Sequence, residues 1–98
     1  MEIEPKELKD RLESGGHVNL IDVREEWEYE EVNIGAKNIP LGTLPDRLEE
    51  LTDLQEEEVV VHCKSGGRSS QAQKYLRSKG FKNVRNLTGG IEKYLATQ

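Results

Sequence analysis

The stretch Val59-Val60-Val61-His62-Cys63-Lys64-Ser65-Gly66-Gly67-Arg68-Ser69-Ser70 decides how this chain is read. Its opening valines run without polar alternation, as a strand covered on both faces does. Small residues then break the run. From Arg68 to Ser78, Ala72, Tyr75 and Leu76 recur at helical spacing, and Lys79-Gly80 ends the pattern. A buried strand that feeds a short loop and then a helix is the turn of an open α/β sheet. Ligands bind beyond the carboxyl ends of such strands, which is where Cys63 stands. The glycines let successive N–H groups face inward as an anion nest, and the helix start adds its positive dipole end. Lys64 and Arg68 add two full positive charges. All of these favour thiolate over thiol, and such settings take a cysteine pKa from about 8.5 to about 3.5–7.5. This reading requires the thiol to reach water and the amides to face it. The competing reading is a buried cysteine closing a strand with an ordinary Gly-Gly turn. An inert cysteine needs neither the glycines nor the bases around it.

Outward from this segment the pattern alternates. Pro5 to Glu13 reads as a helix with Leu8 and Leu12 on one face, stopped by Ser14-Gly15-Gly16. Val18 to Val23 is an apolar strand. Arg24 to Val32 reads as a short helix that buries Tyr29 and Val32, and Trp27 reads as core in preference to an edge of the pocket. Lys37 to Ile39 is a short strand ended by Pro40. Leu44, Leu48, Leu51 and Leu54 mark an amphipathic helix over 44–54, and Glu58 to His62 is the most buried strand. Val84 to Leu87 is the last strand, and Gly90 to Leu95 a last helix with Ile91, Tyr94 and Leu95 inward. Strands alternating with helices predict an α/β fold with a mainly parallel sheet and helices on both faces, as one domain over residues 5–96.

Composition sets the outer limits. The chain has 98 residues with 34% hydrophobic content, and Leu, Ile, Val and Phe make up 24 of them, enough for a small core. Residues 1–58 hold 18 acids against 6 bases, while residues 59–91 hold seven bases and no acid. Lys74, Arg77, Lys79 and Lys82 read as a solvated helix face, and the glutamates at 25–31 and 56–58 as solvated too. A pI of about 5.1, with only Tyr75 and Phe81 in the basic stretch for stacking, argues against a nucleic-acid partner. A local positive field beside a thiol suits a small anion instead. No apolar run is long enough to cross a bilayer, and Met1-Glu2-Ile3-Glu4-Pro5 is no secretory leader; with a lone cysteine the expected setting is cytoplasmic. Two distant histidines and one cysteine make a poor metal site, so no metal or cofactor is expected. Asp22 and Arg24 read as a salt bridge or loop tie, His62 as pointing away from the thiol, His17 as exposed, and Thr88 and Gly89 as candidates to border the cleft.

Cys63 to Arg68 spells Cys-x4-Arg. Taken with Leu20-Ile21-Asp22-Val23-Arg24, Gly35-Ala36-Lys37-Asn38-Ile39-Pro40-Leu41 and Leu87-Thr88-Gly89-Gly90-Ile91, it makes the chain resemble single-domain rhodaneses, the thiosulfate sulfurtransferase-like family. The resemblance implies a five-stranded parallel sheet and a nucleophilic Cys63 that takes sulfane sulfur from thiosulfate or a persulfide donor. It further implies that the Cys63 persulfide passes that sulfur to a thiol or to cyanide. The amides from Lys64 through Ser65, Gly66 and Gly67 to Ser69 would cradle the persulfide, and Lys64 and Arg68 would orient the anionic donor. Phosphatases of related fold read His-Cys-x5-Arg. Here the sixth residue after Cys63 is Ser69, and a ring one residue smaller fits one sulfur atom and crowds a phosphate. A second expectation of a different class is a persulfide carrier that hands sulfur to a protein partner with little turnover on thiosulfate. The expected partners are thus a small anionic sulfur donor, a thiol acceptor and a possible protein acceptor, met by a monomer.

Overall fold

In a computed structural model, residues 1–97 are described. The order is β1 (Glu2–Ile3), α1 (Pro5–Glu13), β2 (Asn19–Asp22), α2 (Glu26–Glu31), β3 (Lys37–Asn38), a 3-10 stretch (Leu41–Leu54), β4 (Glu58–His62), α3 (Gly67–Ser78), β5 (Asn83–Leu87) and α4 (Gly90–Ala96). The strands form one sheet in the order β1-β5-β4-β2-β3, and every pairing is parallel. The five-stranded α/β expectation therefore holds. The strand that residue patterning missed is β1, two residues ahead of the stretch 5–96, whose Ile3 is fully buried against β5.

Strand alternation sends side chains to two separate cores. Val59, Val61, Ile21 and Val84 pack with Ala72 and Leu76 of α3 and Leu44 and Leu51 of the 3-10 stretch. Leu20, Val60 and Leu87 pack on the other face with Ile3, Leu8 of α1 and, at its edge, Tyr94 of α4. The predicted α-helix over 44–54 is instead a 3-10 stretch. Leu48, Leu51 and Leu54 recur every three residues, and three residues per turn stacks them on one face. Three burial expectations need correction. Trp27 is 63% exposed, Leu95 52% and Val32 43%, because α2 and the end of α4 lie on the surface with no element above them. Tyr29 stays half-buried and bonds the Ala36 carbonyl.

The chain adds β3 outside β2 on one side of the sheet and β5 outside β4 on the other, so the strand order reverses between β2 and β4. That reversal opens a crevice at the strands' carboxyl ends. Cys63 leaves β4 at this point. Among the described residues no helix is long and apolar enough to cross a membrane.

Candidate active site

The loop after β4 turns sharply at Gly66, whose φ of +117° is a left-handed conformation that side-chain-bearing residues rarely adopt. The turn brings the loop back over the cysteine. The Gly66 N–H donates to Cys63 Sγ at 3.1 Å and the Ser69 N–H at 3.3 Å, with Ser69 Oγ also 3.3 Å away. The amides therefore face the sulfur, as the spacing of the loop predicts. Access is another matter: Cys63 is only 1% exposed, so the expectation of a thiol open to water fails in this conformation. The same turn that aims the amides also closes over the sulfur.

Burial pushes the Cys63 thiol up, but the Ser69 hydroxyl and the amides of Ser69, Gly66 and Ser65 outweigh it, and the thiol lies below its ordinary value. Hydrogen bonds are the largest lowering causes, and the Arg68 charge interacts with the sulfur besides. Lys64 is exposed and makes no bond to the sulfur. Arg68 turns away to Glu28 in a bidentate pair, Nη1 to Oε1 at 2.6 Å and Nη2 to Oε2 at 3.0 Å. The Arg68 guanidinium in turn lowers the Glu28 carboxyl to about 2. Glu28, read from sequence as a solvated glutamate, thus ties α2 to the start of α3.

Ser69 is the hub of a buried network. Its one hydroxyl proton is shared between Asn86 Oδ1 at 2.6 Å and the Cys63 sulfur at 3.3 Å, and the Asn86 side-chain amide donates to the Gly66 carbonyl at 3.3 Å. Asn86 lies on β5 and is 7% exposed. The signal in the sequence was an uncharged polar residue at an alternating position with Val84, on the face that strand periodicity buries. The other wall of the loop is α4: Ile91 N–H donates to the Cys63 carbonyl at 2.9 Å and Glu92 N–H to the Lys64 carbonyl at 3.2 Å.

The lesser candidates sort as follows. Asp22 and Arg24 form the expected tie: the carboxylate accepts the Arg24 backbone N–H at 2.9 Å and its Nη2 at 2.7 Å, both residues buried. His62 is fully buried, neither ring nitrogen has a hydrogen-bond partner, and Nε2 lies 3.8 Å from Asp22 Oδ2. Burial holds its pKa below the ordinary histidine value, with Asp22 opposing. Lys74, Arg77, Lys79 and Lys82 are exposed, as read. Glu58 is not simply solvated, since it pairs with Arg11 at 2.6 Å and Arg85 at 3.0 Å. A cavity of about 220 Å³ adjoins the loop, lined by Lys64, Trp27, Glu28, Val32, Ile91 and Leu95 among others, with Cys63 outside its lining.

Comparison with known proteins agrees with this geometry. The family model of the rhodanese-like domain matches residues 4–97. A sulfurtransferase of Allochromatium vinosum is 37% identical over 91 residues, covering 92% of this chain and 83% of that protein. YrkF of Bacillus subtilis, by name a candidate sulfur carrier, is 37% identical over 91 residues; the match covers 92% of this chain and 48% of YrkF, so the chain spans about half its length. The human single-domain sulfurtransferase TSTD1 superposes with a TM-score of 0.80 at 29% identity, covering 99% of this chain and 96% of that one. A parallel five-stranded sheet carrying a six-residue Cys-to-Arg loop at its switch point, matched over nearly its whole length, places this chain in the rhodanese-like domain family, among relatives named as sulfurtransferases and sulfur carriers.

Proposed function

We propose that the chain is a sulfurtransferase in which Cys63 carries sulfane sulfur as a persulfide. The Cys63 thiolate attacks the outer sulfur of thiosulfate or of a persulfide donor. A new S–S bond forms, the donor's S–S bond breaks, and sulfite or a thiolate leaves with the electron pair. An acceptor thiolate, or cyanide, then attacks the outer sulfur of the Cys63 persulfide and expels the Cys63 thiolate. Two displacements through a covalent intermediate give ping-pong kinetics. The observation that carries this reading is the convergence of the Gly66 and Ser69 amides on one sulfur. Fixed N–H dipoles stabilise negative sulfur without reorganisation. Lys64, Ser65, Gly67 and Arg68 act as the donor's contacts, with Arg68 exchanging Glu28 for the anion. Because Cys63 is closed over, the turn of Ser65 to Gly67 must part to admit a donor; Ser65 and Gly67 are exposed, and no atom lies within 4 Å of where a side chain on Gly66 or Gly67 would begin.

The near-complete burial of Cys63 also favours a second reading, a carrier that shelters its persulfide until a protein acceptor opens the loop. In both readings residues 5–96 work as one domain, as a monomer, in the cytoplasm. Mass spectrometry after incubation with thiosulfate should show one added sulfur atom, absent from Cys63→Ser. A folded protein without the adduct refutes both readings. Rapid release to cyanide supports the enzyme, and release to protein thiols alone the carrier.

A further inference from the structure

Large exposed apolar side chains are few in this chain. Among the described residues Met1, Trp27, Val32 and Leu95 are the exposed ones, and three of the four converge on the same cavity. Ile91, buried beneath, forms its floor. Exposed apolar groups that cluster around a concave site mark binding surfaces more often than scattered ones do. The cavity is also tied to the loop at both ends. Lys64 follows Cys63 directly, and Glu28 in the wall holds Arg68, which closes the loop. An occupant would sit beside the loop that covers Cys63.

The rim fixes the sign of that occupant. Glu31 and Glu92 line the cavity, are exposed, and have no salt bridge among the described residues. Glu25, Glu26 and Glu30 add three more exposed acids on or next to α2. Glu28 is already neutralised by Arg68, and Lys64 is the one exposed base in the lining. A surface of this kind repels a second acid-rich protein and attracts a basic one.

We propose that this cavity is the docking site of a protein acceptor, one whose receiving cysteine lies next to a bulky apolar side chain flanked by Lys or Arg. The apolar group packs between Trp27 and Leu95, and the bases face Glu31 and Glu92. The acceptor thiolate is then held beside the loop, and once the turn of Ser65 to Gly67 parts it attacks the outer sulfur of the Cys63 persulfide, forms a new S–S bond and expels the Cys63 thiolate. The proposal rests on the sulfur-transfer reading above and names the acceptor's class.

The test uses the full chain loaded with thiosulfate and three synthetic peptides, each with one cysteine. One carries phenylalanine and lysines beside the cysteine, one has aspartates for the lysines, and one has serine for the phenylalanine. Loss of the persulfide is followed by mass. The basic apolar peptide should react about tenfold faster than either of the others. Its advantage should shrink in Leu95→Ser and in Glu31→Gln/Glu92→Gln, and with added salt. Equal rates for all three peptides, equal rates for free cysteine, or an advantage untouched by these variants would overturn the proposal. Should the chain not load at all, the sulfur-transfer reading fails, and docking is read separately. Trp27 is the sole tryptophan, so its emission should shift on titration with the basic peptide whose cysteine is replaced by serine. No shift there defeats the docking site on its own.

Discussion

Replacing Gly90 by alanine should cost more than any other glycine change near the loop, and the structure supplies the magnitude. Gly90 opens α4 at φ +66°, and a Cβ there would lie 2.5 Å from the Lys64 carbonyl carbon and 2.6 Å from the Ser65 nitrogen, with the Lys64 oxygen closer still. Ordinary contact is about 3.5 Å or more, so the loop backbone must retreat by about 1 Å. That retreat removes the Ile91 and Glu92 N–H bonds to the Cys63 and Lys64 carbonyls, worth about 1 kcal/mol each. Left-handed backbone adds about 1–2 kcal/mol for a residue with a Cβ. The expected loss is about 3–4 kcal/mol, a large part of the roughly 5–15 kcal/mol that holds a domain together. Gly66→Ala is the control: nothing lies within 4 Å of its Cβ, so only backbone strain of about 1–3 kcal/mol applies. Urea unfolding followed by far-UV circular dichroism separates the two, with a midpoint drop of about 2 M for Gly90→Ala at an m near 2 kcal/mol/M. Cys63 should also react faster with thiol reagents in Gly90→Ala, since the loop is no longer pinned to α4. A loss below about 1 kcal/mol, or one no larger than that of Gly66→Ala, would refute the idea that α4 buttresses the cradle.

Asn86→Ala should favour the Cys63 thiolate, because Ser69 loses the acceptor 2.6 Å away and its one proton can turn to the sulfur; Ser69→Ala should do the reverse. Thiolate absorbance against pH checks the pair, and a shift of the same sign in both contradicts the shared-proton account. His62→Leu should flatten the acid side of the stability profile. Its folded pKa lies below the ordinary 6.5 through burial, so the unfolded chain binds the proton first and stability falls as pH drops below about 6.5. Urea midpoints between pH 7 and 5 that slope identically in both proteins would contradict this. Glu28→Gln should abolish a stability contribution that is present above its ordinary 4.5 and lost as pH falls toward about 2. Because the Arg68 side chain is 35% exposed, solvent screening limits this to about 1 kcal/mol. With Arg68 released, KM for thiosulfate should fall, and an unchanged KM counts against Arg68 as a donor contact.

The strands, helices and loop position were legible because each carries its own local signal. Val59–Val61 has no polar alternation, and α1 and β4 begin and end where the sequence reading puts them. The cradle was legible because four residues between Cys63 and Arg68 leave the backbone little choice but to curl. What escaped was set by neighbours in space. β1 is two residues long, too short for any period, and exists because β5 offers an unpaired edge. Asn86 and Glu28 look like an interruption and a solvated acid until the fold puts them against Ser69 and Arg68. Trp27 and Leu95 have core composition, but no element arrives to cover them.

The pairing of Arg68 with Glu28 bears on which anion the loop can serve. An arginine held by a carboxylate in a bidentate pair has its charge largely compensated, so the anion in the cradle meets neutral N–H dipoles first. Two amides and a hydroxyl at 3.1–3.3 Å suffice for a singly charged, polarizable sulfur. A phosphate needs more: its whole tetrahedral group must sit in the ring over the nucleophile, whereas thiosulfate presents only its outer sulfur there and leaves its sulfonate outside, for Lys64 and Arg68. That room is absent, since the sulfur is already enclosed, while Arg68 is paired with Glu28 and Lys64 is exposed and makes no bond to the sulfur. The loop that closes after four residues and the glutamate on α2 therefore select in the same direction, one by volume and one by charge. Changing either alone should leave the site poor at phosphate chemistry. A Glu28→Gln protein that gained phosphatase activity would show that charge alone had been the barrier and that the ring size had been given too much weight.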